Sequence, residues 1–190
     1  MSNKTRNMHK TREDSLKGLQ RIYAPWRYKY FEEHKQAGCF ICSGIAAGLS
    51  CDRANLILVR KPKGIILLNR YPYTVGALMI APTEHLATIR EVDDEVLLTL
   101  MHLVRCGIQI LDTAIHPNGY NIGINQSAAA GAGLDDHLHI HIVPRWGGDT
   151  NFMTTIAETR VLSEDVDHMY ERLSQVPERP ADIATDKIPD

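Results

Sequence analysis

Two rhythms of hydrophobic residues organise this chain. Apolar residues alternate with polar ones, or run together between turn signals, over Leu56 to Arg60, Gly64 to Asn69, Ala77 to Ala81, Tyr120 to Asn125 and His137 to Val143, which predicts five strands. Between Asp93 and Ile115 the spacing becomes helical. Leu97, Leu98, Met101, Val104, Ile108 and Leu111 form a stripe that takes in Cys106, with Leu100 and Leu103 beside it. Asp93 or Asp94 can cap this helix, acidic residues suit its first turn, and Pro117 with Asn118-Gly119 ends it. A short helix is predicted from Glu164 to Leu173, after Ser163. With strands outnumbering helices, the expected fold is α+β: an antiparallel sheet of about five strands, one long helix and a short C-terminal one. Residues 1–20, with Lys4, Arg6, Lys10, Arg12 and Lys17, read as a basic arm, 21–173 as one domain, and 174–190, with Pro177, Pro180 and Pro189, as a loose acidic tail.

Composition narrows the partners. At 190 residues and 44% hydrophobic the chain can bury a single core, while a net charge of −2 offers no general attraction for a polyanion. Nucleic acid is therefore not the expected partner. No apolar run in the sequence approaches the ~20 residues of a membrane span, and the polar start Met1-Ser-Asn-Lys-Thr-Arg lacks an apolar leader core, so no membrane partner and a cytoplasmic location are expected.

The run from His137 to Val143 carries the most chemistry. On a strand, His137, His139 and His141 share one face, about 6.6 Å apart in succession, and Leu138, Ile140 and Ile142 share the other. On a helix the imidazoles would scatter. Imidazole in such an array can ligate a metal, or can attack an electrophile once a hydrogen bond fixes its tautomer. A solvent-facing strand that happens to carry histidine is the plainer alternative. Upstream, Gln126 to Asp136 is rich in alanine and glycine and offers backbone rather than side chains. Gly131 and Gly133 allow N–H groups to converge on an anion, or simply allow a tight connection.

These residues resemble the histidine-triad (HIT) superfamily, and in particular its bacterial diadenosine tetraphosphate phosphorylase and fragile-histidine-triad-like hydrolase branch. Pro144-Arg-Trp146-Gly-Gly-Asp149-Thr-Asn-Phe-Met153 continues the triad as in that branch. Ala24-Pro-Trp-Arg27, Cys39-Phe-Ile-Cys42, Leu68-Asn-Arg-Tyr-Pro-Tyr73, Ala81-Pro-Thr-Glu-His85 and Gly119-Tyr-Asn-Ile-Gly-Ile-Asn125 follow its order. The resemblance implies an adenine nucleotide substrate, cleaved at the α-phosphate through a covalent adenylyl-histidine, with phosphate or water as acceptor. It gives His139 as nucleophile and His141 as a contact to phosphate or leaving group whose carbonyl could fix the His139 tautomer. Asn69 is matched to ribose, Asn125 to the phosphates, and the Gly131 to Gly133 amides to the developing charge. Trp146 could stack on a base or close the core. A homodimer through the long helix and adjoining strands is also implied. Ala77 departs from the pattern, since many relatives carry a fourth histidine there. An adenosine phosphoramidase, or a nucleotide-binding regulatory module without turnover, are the alternative functions.

Cys39 and Cys42 form a C-x-x-C pair that reads either as a metal knuckle or as two small buried hydrophobes. Resemblance to the related uridylyltransferase branch adds His85 and His137, completing the four ligands of a structural zinc. Cys51 has no evident partner.

Overall fold

The computed structural model describes residues 38–72, 74–149 and 162–177. The expected basic arm, most of the tail, the Ala24 to Arg27 motif, Tyr73 and the Asn151 to Met153 segment lie outside these residues.

Described elements, in order, are helices α1 (Phe40–Ala46) and α2 (Asp52–Asn55), strands β1 (Ile57–Lys61), β2 (Gly64–Leu68) and β3 (Leu78–Pro82), helix α3 (Asp94–Ile115), strands β4 (Gly119–Ile124) and β5 (Ile140–Arg145), and helix α4 (Val166–Ser174). The strands make one antiparallel sheet in the order β1-β2-β3-β5-β4. The expected α+β architecture is therefore present, with α1 and α2 added.

The pleat sorts the sheet into two faces. Ile66, Leu68, Leu78, Ile80, Ile140 and Ile142 join the main core with Leu100, Leu103, Val104 and Leu111 of α3. On the other face, Ile65, Leu67, Met79 and Ala81 form a smaller cluster with Cys39 and Ile41 at the start of α1. The buried side of α3 is rotated from the expected stripe: Leu100 and Leu103 are 1% and 0% exposed, whereas Leu98 and Met101 are 53% and 54% exposed. The helix is apolar on several sides, so the position of the sheet decides which side is covered. It is also long and apolar enough by composition to cross a membrane, contrary to the reading of the sequence, although Val96, Leu100, Leu103, Val104, Ile110 and Leu111 are buried within this domain.

Three element ends differ from expectation for local reasons. Helix α4 starts at Val166 because the Asp165 carboxylate accepts from the His168 N–H at 2.9 Å, displacing the expected start after Ser163. Asp93 occupies the N-cap of α3 without a side-chain cap bond; the capping box instead closes the preceding 3₁₀ turn, between Thr88 and Glu91. Strand β5 starts at Ile140, leaving His137, in a bend, and His139 in the segment that leads into it.

Side-chain clasps hold the periphery. Arg60 bonds Asp52 and the Ile45 and Gly44 carbonyls, tying β1 to the end of α1. The Tyr170 hydroxyl donates to the Ile57 carbonyl at 3.0 Å, and Arg172 donates to the Ala114 carbonyl at 2.7 Å, seating α4 across β1 and the end of α3.

Gly64 lies directly against α3. A Cβ there would lie 2.7 Å from Leu103 Cδ1 and 3.2 Å from the Ala81 carbonyl oxygen, whereas at Gly119 it would meet nothing within 4 Å. Gly64→Val is expected to destabilise the fold by about 1–3 kcal/mol through overpacking. Urea denaturation should show a lowered midpoint for Gly64→Val and little change for Gly119→Ala; equal midpoints would refute this account of the helix–sheet contact.

Candidate functional site

The triad alternates as its sequence requires. Leu138, Ile140 and Ile142 go into the main core, while His137 and His139, 1% and 5% exposed, and the half-buried His141 take the other face. The ladder with β3 pairs Ile80 with Ile140, Met79 with His141 and Leu78 with Ile142, then stops. It stops because the Pro82 carbonyl accepts from the His137 ring, Nε2 to O 3.0 Å, and the Leu138 N–H goes to the Leu86 carbonyl at 2.6 Å. A side chain and a loop thus take the bonds that would have extended the strand to His137.

His139 lies with Nδ1 2.9 Å from the backbone carbonyl of His137. A carbonyl can only accept, so in the neutral ring Nδ1 carries the hydrogen and Nε2 keeps its lone pair. The resemblance had suggested the His141 carbonyl for this task. Instead the residue two earlier, His137, supplies it. The His141 ring meets the His139 ring edge-on, with centroids 4.7 Å apart. Burial, and then repulsion from a charged His139, push the His141 pKa down to about 4.

Sheet register sets the surroundings. Met79 of β3 and Gly123 of β4 flank His141, and a Cβ built on Gly123 would meet nothing within 4 Å. Asn69 follows β2 on the same face. Its side-chain oxygen accepts from the Tyr71 N–H at 2.9 Å, and its own N–H donates to the Ala77 carbonyl at 2.9 Å, so it shapes the β2–β3 connection. Ala77 is buried, 4% exposed. Asn125 is exposed at the end of β4. Beyond it, Gln126 accepts from the Ile89 N–H at 3.0 Å, a tether between loops that the sequence did not reveal.

The alanine–glycine loop differs from the expected cradle. Ala128–Ala130 form a 3₁₀ turn, and Gly131 closes it in the left-handed region at φ 85°, its N–H donated to the Ala128 carbonyl at 3.0 Å. The Gly131 amide is therefore engaged within the loop, while Gly133 is exposed two residues later. Trp146 is half-buried directly after β5, where its N–H bonds Asp149 at 3.4 Å. Asp149 also receives a two-pronged contact from Arg145, at 2.5 and 2.8 Å.

The C-x-x-C pair meets the triad here. The ligating atoms of Cys39, Cys42, His85 and His137 all lie within 4.8 Å of one another. His137 Nδ1 is 3.2 Å from Cys39 Sγ and 3.5 Å from Cys42 Sγ, and His85 Nδ1 is 3.2 Å from Cys42 Sγ. Zinc bonds of about 2.3 Å to sulfur and 2.0 Å to nitrogen imply tetrahedral edges of roughly 3.5 Å, so this donor set fits a four-coordinate metal. The bond from His137 Nε2 to Pro82 also sets its tautomer for ligation through Nδ1. Helix α1, absent from the expected elements, arises because Cys39 caps it: the Cys42 N–H lies 3.5 Å from Cys39 Sγ. Burial raises the Cys39 thiol to about 11, so binding a metal there displaces a proton at neutral pH.

The depressed His141 pKa has a testable sign. An unfolded histidine takes up its proton near pH 6.5 and the folded one only near 4, so the unfolded state binds more protons in that window and stability falls as pH is lowered through it. His141→Gln is expected to lose less stability than the parent protein between pH 7 and 4.5 in urea titrations. Equal losses would contradict the shifted titration.

Comparison with known proteins follows this geometry. The HIT domain matches residues 53–148. AP-4-A phosphorylase of Mycobacterium tuberculosis strain H37Rv is 33% identical over 153 residues, covering 77% of this chain and 78% of that protein. Adenosine 5'-monophosphoramidase of Schizosaccharomyces pombe is 27% identical over 107 residues, 56% of this chain and 74% of that protein. Among solved structures, a hypothetical histidine triad nucleotide-binding protein from Sulfolobus tokodaii strain7 superposes with TM-score 0.56 at 26% identity, over 72% of this chain and 87% of that one. A zinc-bound histidine triad family protein from Mycobacterium smegmatis shares the fold with TM-score 0.58 at 21% identity, over 77% of this chain and 94% of that one.

Proposed function

The chain belongs to the HIT family, whose members process nucleotides, and we propose that it cleaves dinucleoside polyphosphates of the diadenosine tetraphosphate kind through a covalent adenylyl-His139. The carrying observation is the bond from His139 Nδ1 to the His137 carbonyl, which leaves Nε2 as the nucleophilic atom. Nε2 attacks the α-phosphorus, the bond from that phosphorus to the bridging oxygen breaks, and the remaining nucleoside polyphosphate, ATP for diadenosine tetraphosphate, leaves with the bond's electron pair. Phosphate or water then attacks the same phosphorus and releases the imidazole, giving ADP or AMP.

The remaining residues act around that atom. His141, neutral at physiological pH and in edge contact with His139, is suited to a hydrogen bond with a phosphate oxygen without holding the leaving group by charge. Asn69 and Asn125, at the ends of β2 and β4, are assigned to ribose and phosphate. Gly133 and the exposed part of its loop are assigned to the nonbridging oxygens, with Gly131 supplying the turn. Trp146 is assigned to the base. Similarity to AP-4-A phosphorylase over more than three-quarters of both chains favours this reading over phosphoramidate cleavage, for which the similarity to the Schizosaccharomyces pombe protein is weaker and shorter.

Zinc is the metal we assign to Cys39, Cys42, His85 and His137. Bound there, it would supply structural cross-linking rather than a reactive site, because four protein ligands leave no place for water. We further assign a homodimer through the exposed Leu98 and Met101 of α3 and Ile122 of the edge strand β4, large apolar side chains left exposed among the described residues.

Incubation with diadenosine tetraphosphate, with and without inorganic phosphate, and separation of products by ion exchange tests the activity. ADP with ATP only when phosphate is present identifies a phosphorylase, and AMP with ATP a hydrolase; no product from this substrate sinks the proposal. His139→Ala is expected to lower turnover by roughly 10⁴-fold or more while nucleotide affinity stays within a modest factor. Near-normal turnover in that variant would remove the nucleophile assignment. For the metal, elemental analysis should give about one zinc per chain, and Cys42→Ser should lower zinc content and melting temperature together. Unchanged zinc affinity in Cys42→Ser would defeat this ligand set.

A further inference from the structure

The two imidazoles of the metal-ligand cluster are backed differently. Both turn Nδ1 toward the cysteines. Behind His137, which is buried, Nε2 finds the neutral carbonyl of Pro82 at 3.0 Å. Behind His85, whose side chain is 47% exposed, Nε2 faces a carboxylate: Asp136 Oδ2 lies 3.8 Å away. The rings stand edge-on at 87° with centroids 5.2 Å apart, so fixing one restricts the other.

We propose that Asp136 is a positioning residue of this metal centre, its carboxylate facing the far nitrogen of His85 and adding outer-sphere negative charge that favours the Nδ1-ligating ring; this rests on the metal reading above. His85 is the exposed ligand, and the likewise exposed Asp136 is the group found behind its far nitrogen. A negative charge behind the far N–H of a ligating imidazole makes the ring a better donor, and outer partners of ligating histidines are commonly worth 10–100-fold in metal affinity. The charges agree: two thiolates neutralise a divalent cation, and Asp136 makes the site locally anionic.

At 3.8 Å the pair exceeds hydrogen-bond length, so the carboxylate acts on the ring mainly through its charge. Charge removal at constant shape should therefore be felt. Asp136 also adjoins His137, so its loop and the metal cluster are joined at two successive residues.

The test uses cobalt(II) as probe on full-length protein stripped of metal, with affinity measured by competition against a chromophoric chelator and the d–d and thiolate charge-transfer bands recorded. Asp136→Asn and Asp136→Ala are expected to weaken cobalt binding about 10-fold or more, with altered d–d bands, while the melting temperature of metal-free protein stays that of the parent; Asp136→Glu should recover part of the affinity. Parent-like affinity and spectra in Asp136→Asn and Asp136→Ala overturn this proposal and leave the metal reading standing. A parent protein that takes up no cobalt overturns both. Loss of metal-free stability in step with affinity would assign Asp136 to folding and overturn the positioning role.

Discussion

One residue, His137, joins the two halves of the site. Its backbone carbonyl accepts from His139 Nδ1, its ring Nε2 donates to Pro82, and its ring Nδ1 faces Cys39 and Cys42. A histidine freely turning about its side-chain bonds would present either nitrogen to a phosphorus atom. The carbonyl removes that choice. The carbonyl in turn is fixed because the side chain of the same residue is buried and bonded on both nitrogens, so the ligand cluster and the set tautomer of His139 are two consequences of one fixed backbone position.

The sheet supplies the rigidity behind it. Leu138, Ile140 and Ile142 lock the triad segment into the core under α3, where Gly107 and Gly64 let the helix approach closely. On the opposite face Ile65, Leu67, Met79 and Ala81 carry α1 and hence Cys39. The metal cluster and the triad histidines thus share the face of the smaller core, while the aliphatic residues between the histidines anchor the same segment in the larger one. Sites built on strands and held by bonds to neighbouring loops keep the sub-ångström geometry that displacement at phosphorus requires.

What the sequence made legible is what depends on neighbours along the chain. Alternation from His137 to Ile142 told which residues face the core, because the period of a strand is local. The cysteine spacing marked Cys39 and Cys42, and the resemblance to the uridylyltransferase branch added His85 and His137 to the ligand cluster. What was hidden depends on distant partners or unusual chemistry. The ladder ends before His137 because Pro82, remote in sequence, accepts from its ring. Helix α1 carries no serine, threonine or aspartate cap, its place being taken by a thiol. The covered side of α3 could not be chosen among several apolar sides without the sheet. Gly131 looked free to bind an anion, yet closes its own turn. The His137 carbonyl is invisible to any side-chain pattern, although a reading that asked where each backbone acceptor goes would have listed it beside His141.

The central claim is that His139 Nε2 attacks the α-phosphorus. The most direct test is to mix the protein with diadenosine tetraphosphate without added phosphate, quench in alkali, where phosphorus–imidazole bonds persist, and map the adduct by mass spectrometry of peptides. An adenylyl group on His139, formed at a rate that supports turnover and absent from His139→Ala, is the expected result. Turnover with the adenylyl group on another residue, or with no adduct at a time resolution that must capture it, would contradict the account.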